Sequence, residues 1–173
     1  MGYERRSTTL STASSLSSMS SRPPTVRMAT LIVPDANALI DDSDLEHWVI
    51  PQPATIVVPA QVVAELDGKK NDRTIGDQAR SLIKRFKEYG KPGDPRRGVK
   101  LAAQRGFREI AFQPDMSSLP MLDPAHGDDR IVATALELAY RELTSIVIVV
   151  TRDRNLFNKA RQLQLTAVQV EDV

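Results

Sequence analysis

Short uninterrupted apolar runs alternate with stretches of helical periodicity along this chain. Leu31-Ile32-Val33 and Thr55-Ile56-Val57-Val58 are runs of the kind that form strands covered on both faces. Ile146–Val150 sets five β-branched residues in a row and is the strongest strand signal. Arg108–Gln113 predicts a weaker strand, and the alternation over Thr166–Val170 predicts an edge strand. Helical patterns fall between them, at 36–41, 60–67, 75–89, 129–143 and 154–163. Strands alternating with helices imply βαβ crossovers, hence a three-layer α/β/α fold around a central parallel sheet of about five strands. Gly90, Pro92, Gly93, Pro95, Gly98, Pro114 and Pro120 mark 91–127 as a long, loop-rich excursion.

The first 27 residues break the pattern. Ser and Thr fill 12 of the first 25 positions, and apolar residues occur only singly. Such a segment buries too little to offset its ordering entropy, so residues 1–27 read as a disordered tail and 28–173 as the domain. Its Ser- and Arg-rich, acid-poor composition also fits an organellar transit peptide, or an upstream start with Met28 as the first residue. The expected location is the cytoplasm.

Composition narrows the chemistry. Among 173 residues there is no cysteine, which excludes disulfides, thiolate metal sites and a thiol nucleophile. His47 and His126 are the only histidines, too few for a multi-histidine zinc site. No apolar run approaches the roughly 18 residues of a membrane span. The net charge of +1 leaves residues 28–173 at −2 once the four arginines and one glutamate of the tail are set aside. A nucleic-acid partner must therefore be argued from local sites.

Acids gather where such folds build sites, beyond the carboxyl ends of the strands. Asp35 follows the first strand and Asp153 the fourth, Glu65 lies on the helix after the second strand, and Asp128 and Asp129 open the 129–143 helix. On a helical wheel, Val132, Ala135, Leu136 and Ala139 define a buried stripe with Asp128 on its axis and Asp129 at its edge. Taken singly, Asp35, Asp128 and Asp153 are each accounted for as helix N-caps. Four carboxylates in one cleft would instead repel and rise in pKa unless a cation joined them. Oxygen ligands without Cys or His select Mg²⁺ or Mn²⁺, ions suited to phosphodiester hydrolysis. Asn37 and Thr151, each two residues from an acid, are placed to orient Asp35 and Asp153.

Four segments together resemble the PIN-domain nucleases: Pro34-Asp35-Ala36-Asn37-Ala38-Leu39-Ile40, Val58-Pro59-Ala60-Gln61-Val62-Val63-Ala64-Glu65-Leu66-Asp67, Asp128-Asp129-Arg130-Ile131-Val132-Ala133-Thr134-Ala135 and Val150-Thr151-Arg152-Asp153-Arg154-Asn155-Leu156. They occur in the family's order over about 30–170, and look closer to PhoH-associated PIN domains than to short toxin PIN domains. The resemblance implies strand order 3-2-1-4-5 and an endoribonuclease acting on single-stranded RNA with Mg²⁺ or Mn²⁺. It makes Asp35, Glu65, Asp128 and Asp153 the catalytic and metal-binding acids; Asn37, Thr151, Asp129 and Asn155 are expected to support them from beside the acids. It also suggests a homodimer and, for toxin-type relatives, a small antitoxin partner. Cleavage of structured DNA, or a non-catalytic RNA-binding module, are the competing readings; the second would be signalled by a missing acid. A phosphoaspartate receiver or a haloacid-dehalogenase-type phosphatase would need acid patterns absent at Asp35-Ala36-Asn37.

The stretch Lys91 to Arg108 carries Arg96, Arg97, Lys100 and Arg105 with Phe107 among them, a candidate for holding RNA phosphates and stacking a base, or simply a solvated loop. Arg152 and Arg154 flank Asp153 and are candidates to touch the scissile strand. His126 reads as an exposed loop residue, and His47 with Trp48 as a loop-to-core anchor.

Overall fold

The computed structural model describes residues 28–45, 48–49, 53–101 and 105–172. The expected tail at 1–27 and His47 lie outside the described residues. The elements are β1 (Ala29–Pro34), α1 (Ala36–Asp41), β2 (Ala54–Pro59), α2 (Ala60–Lys69), α3 (Gly76–Tyr89), β3 (Val99–Lys100), β4 (Arg105–Ile110), α4 (Gly127–Arg141), β5 (Ser145–Thr151), α5 (Arg154–Gln162) and β6 (Thr166–Gln169), closed by a 3₁₀ turn (Val170–Asp172).

The sheet runs β3-β4-β2-β1-β5-β6. All pairings are parallel except the two-residue β3, which adds antiparallel to β4 at one edge. Without that short strand, the five parallel strands follow the chain order 3-2-1-4-5. β1 and β5 sit centrally, in register from Ala29↔Ser145 to Pro34↔Val150. Their apolar runs are buried on both faces: Ile32, Val33, Val149 and Val150 are wholly enclosed.

β4 begins three residues before the predicted start. Arg105, Gly106 and Phe107 read as polar loop in sequence, yet each has a tertiary reason to be sheet. Arg105 reaches the backbone carbonyls of Leu45 and Trp48. Gly106 lies so close to β2 that a Cβ would stand 2.7 Å from Thr55 Oγ1, an approach only glycine allows. Phe107 is fully buried between Phe86 and Tyr89, with ring centroids 5.2 and 5.3 Å away. It is therefore core, and stacks on no base. Trp48 is buried, as expected of an anchor.

α4 starts two residues earlier than its apolar stripe suggests and buries two sides. Ile131, Val132, Ala135 and Leu138 are enclosed, whereas Leu136 and Ala139 are only partly covered. One side packs on β5 and another meets α5.

Candidate active site

β1 and β5 are neighbours whose chains leave to opposite sides of the sheet, β1 toward β2 and β5 toward β6. Their carboxyl ends form the topological switch point at which open α/β sheets place ligands. Asp35 stands there. Its backbone N–H donates to Val150 O (3.0 Å), which ties the end of β1 to β5. Its carboxylate caps α1 through Oδ1, accepting from Ala38 N–H at 2.6 Å, while Oδ2 accepts from the buried Thr151 hydroxyl. Thr151 Oγ1 also accepts from the backbone N–H of Asp153 at 2.8 Å. One hydroxyl thus links the two acids across the strand pair. Asp153 caps α5 through Asn155 N–H (2.6 Å) and Leu156 N–H (3.1 Å). Capping and site-building are not alternatives here; the same carboxylates do both.

Glu65 comes from α2, six residues after β2 ends. Gln61, one turn earlier, donates from Nε2 to Glu65 Oε1 at 2.9 Å. The first residue of α4 is Gly127, and a Cβ there would lie 2.6 Å from Glu65 Oε1 and 2.9 Å from Gln61 Nε2. The carboxylate fills the space that glycine leaves. Neither Gln61 nor Gly127 stood out in the sequence; the only available signal was the i, i+4 spacing of Gln61 to Glu65.

The two acids opening α4 exchange places relative to the helical wheel. Asp129 is the buried one, 2% exposed, and Asp128 is half-buried. The wheel assumed a single covered face, but Asp129 enters a second one formed by α5 and the loop ahead of α4. There it accepts from Asp123 N–H (2.8 Å) and pairs with Lys159 of α5. Burial opposes its ionisation, yet these bonds outweigh it and hold its pKa below the usual carboxylate value. Asp128 caps nothing, since the cap position belongs to the exposed His126, whose Nδ1 lies 4.0 Å from Asp128 Oδ2.

The remaining acids share one electrostatic field. Burial pushes Asp35 up, against the bonds from Thr151 and Ala38, and repulsion from Asp128 adds to it. Burial likewise raises Glu65, with Asp128 and Asp35 repelling it. Asp128 is raised by burial and then by Asp153. Among the described residues no three such side chains stand at mutual ligand spacing. The acids face one end of the sheet without closing a cage. Their donor set, carboxylate oxygens in a partly buried and mutually repulsive group, fits a hard divalent cation, whose charge would remove the repulsion.

Two clefts flank the acids. One, of about 330 Å³, is lined by Asn37, Ile40, Asp41, Ile75, Arg152 and Asp153. The other, of about 410 Å³, includes His126, Asp128, Asn155 and Lys159. Asn37 is exposed on the first and Asn155 on the second. Arg152 pairs with Asp41 and approaches Glu171 at 3.9 Å; Arg154 is exposed at the start of α5.

The other basic candidates lie elsewhere. Arg97, Lys100 and Arg105 line a cleft of about 510 Å³ with Ala29, Ala54 and Thr55, at the amino ends of β1 and β2. Arg96 is exposed on the same loop and Arg105 is committed to the carbonyls noted above. The sheet separates this cluster from the acids by a strand length, roughly 15–20 Å at about 3.3 Å per residue.

The mostly parallel sheet, flanked by helices and carrying acids at its switch point, has a PIN-like α/β/α architecture. The PIN-domain family matches residues 32–171, and the chain belongs to it. Among solved structures it is similar to a domain of a functionally unknown protein from Methanocaldococcus jannaschii, at 21% identity over 81% of this chain and 90% of that one, with a TM-score of 0.52. A PilT N-terminus domain protein from Sulfolobus solfataricus matches at 16% identity over 84% and 89%, with a TM-score of 0.37. No curated protein matches the sequence. PIN domains are generally nucleases that use divalent metals. No helix among the described residues is long and apolar enough to cross a membrane.

Proposed function

We propose that this chain is a Mg²⁺- or Mn²⁺-dependent endoribonuclease that cuts single-stranded RNA. What supports the reading is geometric: Asp35 and Asp153 follow the two central strands and are linked through Thr151 Oγ1, while Glu65 and Asp128 stand near enough that burial and repulsion raise the pKa of Asp35, Glu65 and Asp128. These four would hold the ion, which when bound supplies a polarised phosphoryl oxygen and a water of lowered pKa. Thr151 holds Asp35 by donating a hydrogen bond from its hydroxyl, and Gln61 holds Glu65 through its side-chain amide. Both acids thereby keep fixed rotamers, so that little reorganisation accompanies reaction. The exposed Arg154, next to Asp153, is available to a substrate phosphate. The clefts on either side of the acids give a single strand room on both flanks of the cut.

Asp35→Asn tests this. Asn keeps the shape of the cap but removes a charge, so the fold should survive while Mn²⁺-supported RNA cleavage is abolished. The wild type should gain thermal stability on adding Mn²⁺ by mass action on the folded state, and the variant should lose much of that gain. Normal cleavage by Asp35→Asn with Mn²⁺ present overturns the reading. Cleavage of structured DNA in place of RNA by the wild type replaces the substrate class and keeps the chemistry.

A further inference from the structure

We propose that the cleft between the start of α4 and α5 is a nucleobase-reading pocket for a nucleotide beside the scissile phosphate, with adenine as the preferred base. The inference rests on the nuclease reading and adds the element that would select sequence. Its wall is continuous with the acids: Asp128 lines the cleft, and Asn155 follows Asp153 by two residues. A strand crossing the acids therefore puts its neighbouring nucleotide here.

The lining favours a base over a phosphate. Asn155, Asn158 and Gln162 are spaced by three and four residues, which sets three exposed amides along one face of α5. Each amide offers a donor and an acceptor, the pairing that Asn and Gln use on the N6 and N7 edge of adenine. In single-stranded RNA that edge is free, as is the Watson–Crick edge. Lys159, the lysine in the cleft, is already neutralised by the buried Asp129. A phosphate would find no unpaired lysine or arginine there; a neutral, hydrogen-bonding base would find three amides. His126, 58% exposed at the rim, presents a ring on which a base can stack.

The test is cleavage of a random single-stranded RNA pool by the wild type and by Asn158→Ala/Gln162→Ala, with cut sites mapped by sequencing. The wild type is expected to prefer adenine on the order of tenfold at one position adjoining the cut. The double variant should lose that preference and raise KM on the favoured sequence. An abasic residue at that position should raise the wild-type KM similarly and leave the variant little affected. Both altered residues are exposed, so the melting temperature should not change. Fluorescence anisotropy of oligoadenylate against oligouridylate on the Asp35→Asn protein gives a reading independent of turnover. The Asp35→Asn protein should favour oligoadenylate, and Asp35→Asn/Asn158→Ala/Gln162→Ala should not. Cleavage without base preference, or a preference untouched by the double variant, overturns the pocket and leaves the nuclease standing. If the wild type neither cuts nor binds single-stranded RNA, the pocket and the ribonuclease reading both fall.

Discussion

Gly127→Ala separates stability from activity, because activity should fall while stability does not. A Cβ at Gly127 would stand 2.6 Å from Glu65 Oε1 and 2.9 Å from Gln61 Nε2, whereas ordinary contacts begin at 3.4 Å. The Glu65 carboxylate must therefore retreat by at least 0.8 Å, and the Gln61 amide that holds it by 0.5 Å. No backbone atom is crowded, so the fold absorbs the change by swinging these two side chains. Replacing glycine by alanine in a helix interior stabilises by up to about 1 kcal/mol, and less in a first turn. Stability should thus hold or rise slightly. A misplacement of about 1 Å in a catalytic constellation can cost on the order of 100-fold in rate. Single-turnover cleavage of a short RNA with Mn²⁺ should fall by about that factor, and the Mn²⁺-induced gain in melting temperature should shrink. Full activity with an intact Mn²⁺ response would show that Glu65 does not serve the site. A loss of activity matched by a loss of stability would show that the crowding disrupts the fold instead.

Three further outcomes are expected. Asp129→Asn should lower stability by about 1–3 kcal/mol in denaturant titration, because it removes the charge bonded to Lys159 and Asp123 N–H. Asp128→Asn should be neutral or stabilising without metal, and should be the more damaging of the two to cleavage. In pH-dependent melting without metal, Asp35, Glu65 and Asp128 have folded pKa values above their unfolded ones, so the native state binds more protons. Their contribution is present at low pH and lost as pH rises through the folded values. Stability should therefore increase as pH is lowered from neutral toward 4.5 and 3.8, the unperturbed Glu and Asp values, and Asp35→Asn should flatten the rise. Asp129 acts oppositely, but only as pH falls through its own depressed value, below 3.8. Neutralising Arg96, Arg97 and Lys100 should leave KM for a tetranucleotide unchanged, since these residues sit at the other end of the sheet. It should raise KM, and flatten the salt dependence, only for RNA long enough to reach around. A raised KM for the tetranucleotide would place the basic loop at the acids.

The apolar runs and the acids after them were enough to read the architecture from the chain alone. Continuous β-branched strands must be covered on both faces, and helices of matching period supply the cover. That forces parallel crossovers and gathers Asp35 and Asp153 at one end of the sheet. Local periodicity reports one element's own faces, however, and not how many neighbours it has. α4 has two covered sides, so Asp129 is buried against Lys159 although its stripe suggested an edge position. β4 began earlier than its composition implied, because Arg105, Gly106 and Phe107 are satisfied only by carbonyls, a close strand and aromatic rings distant in sequence. The basic loop carried the right residues for RNA, but charge along a chain has no position relative to a site until the sheet sets one. The contact of Glu65 with Gly127 joins residues 62 positions apart. No pattern within either segment encodes it; it exists because α2 and the start of α4 meet over the same sheet end, where a missing Cβ leaves room for a carboxylate.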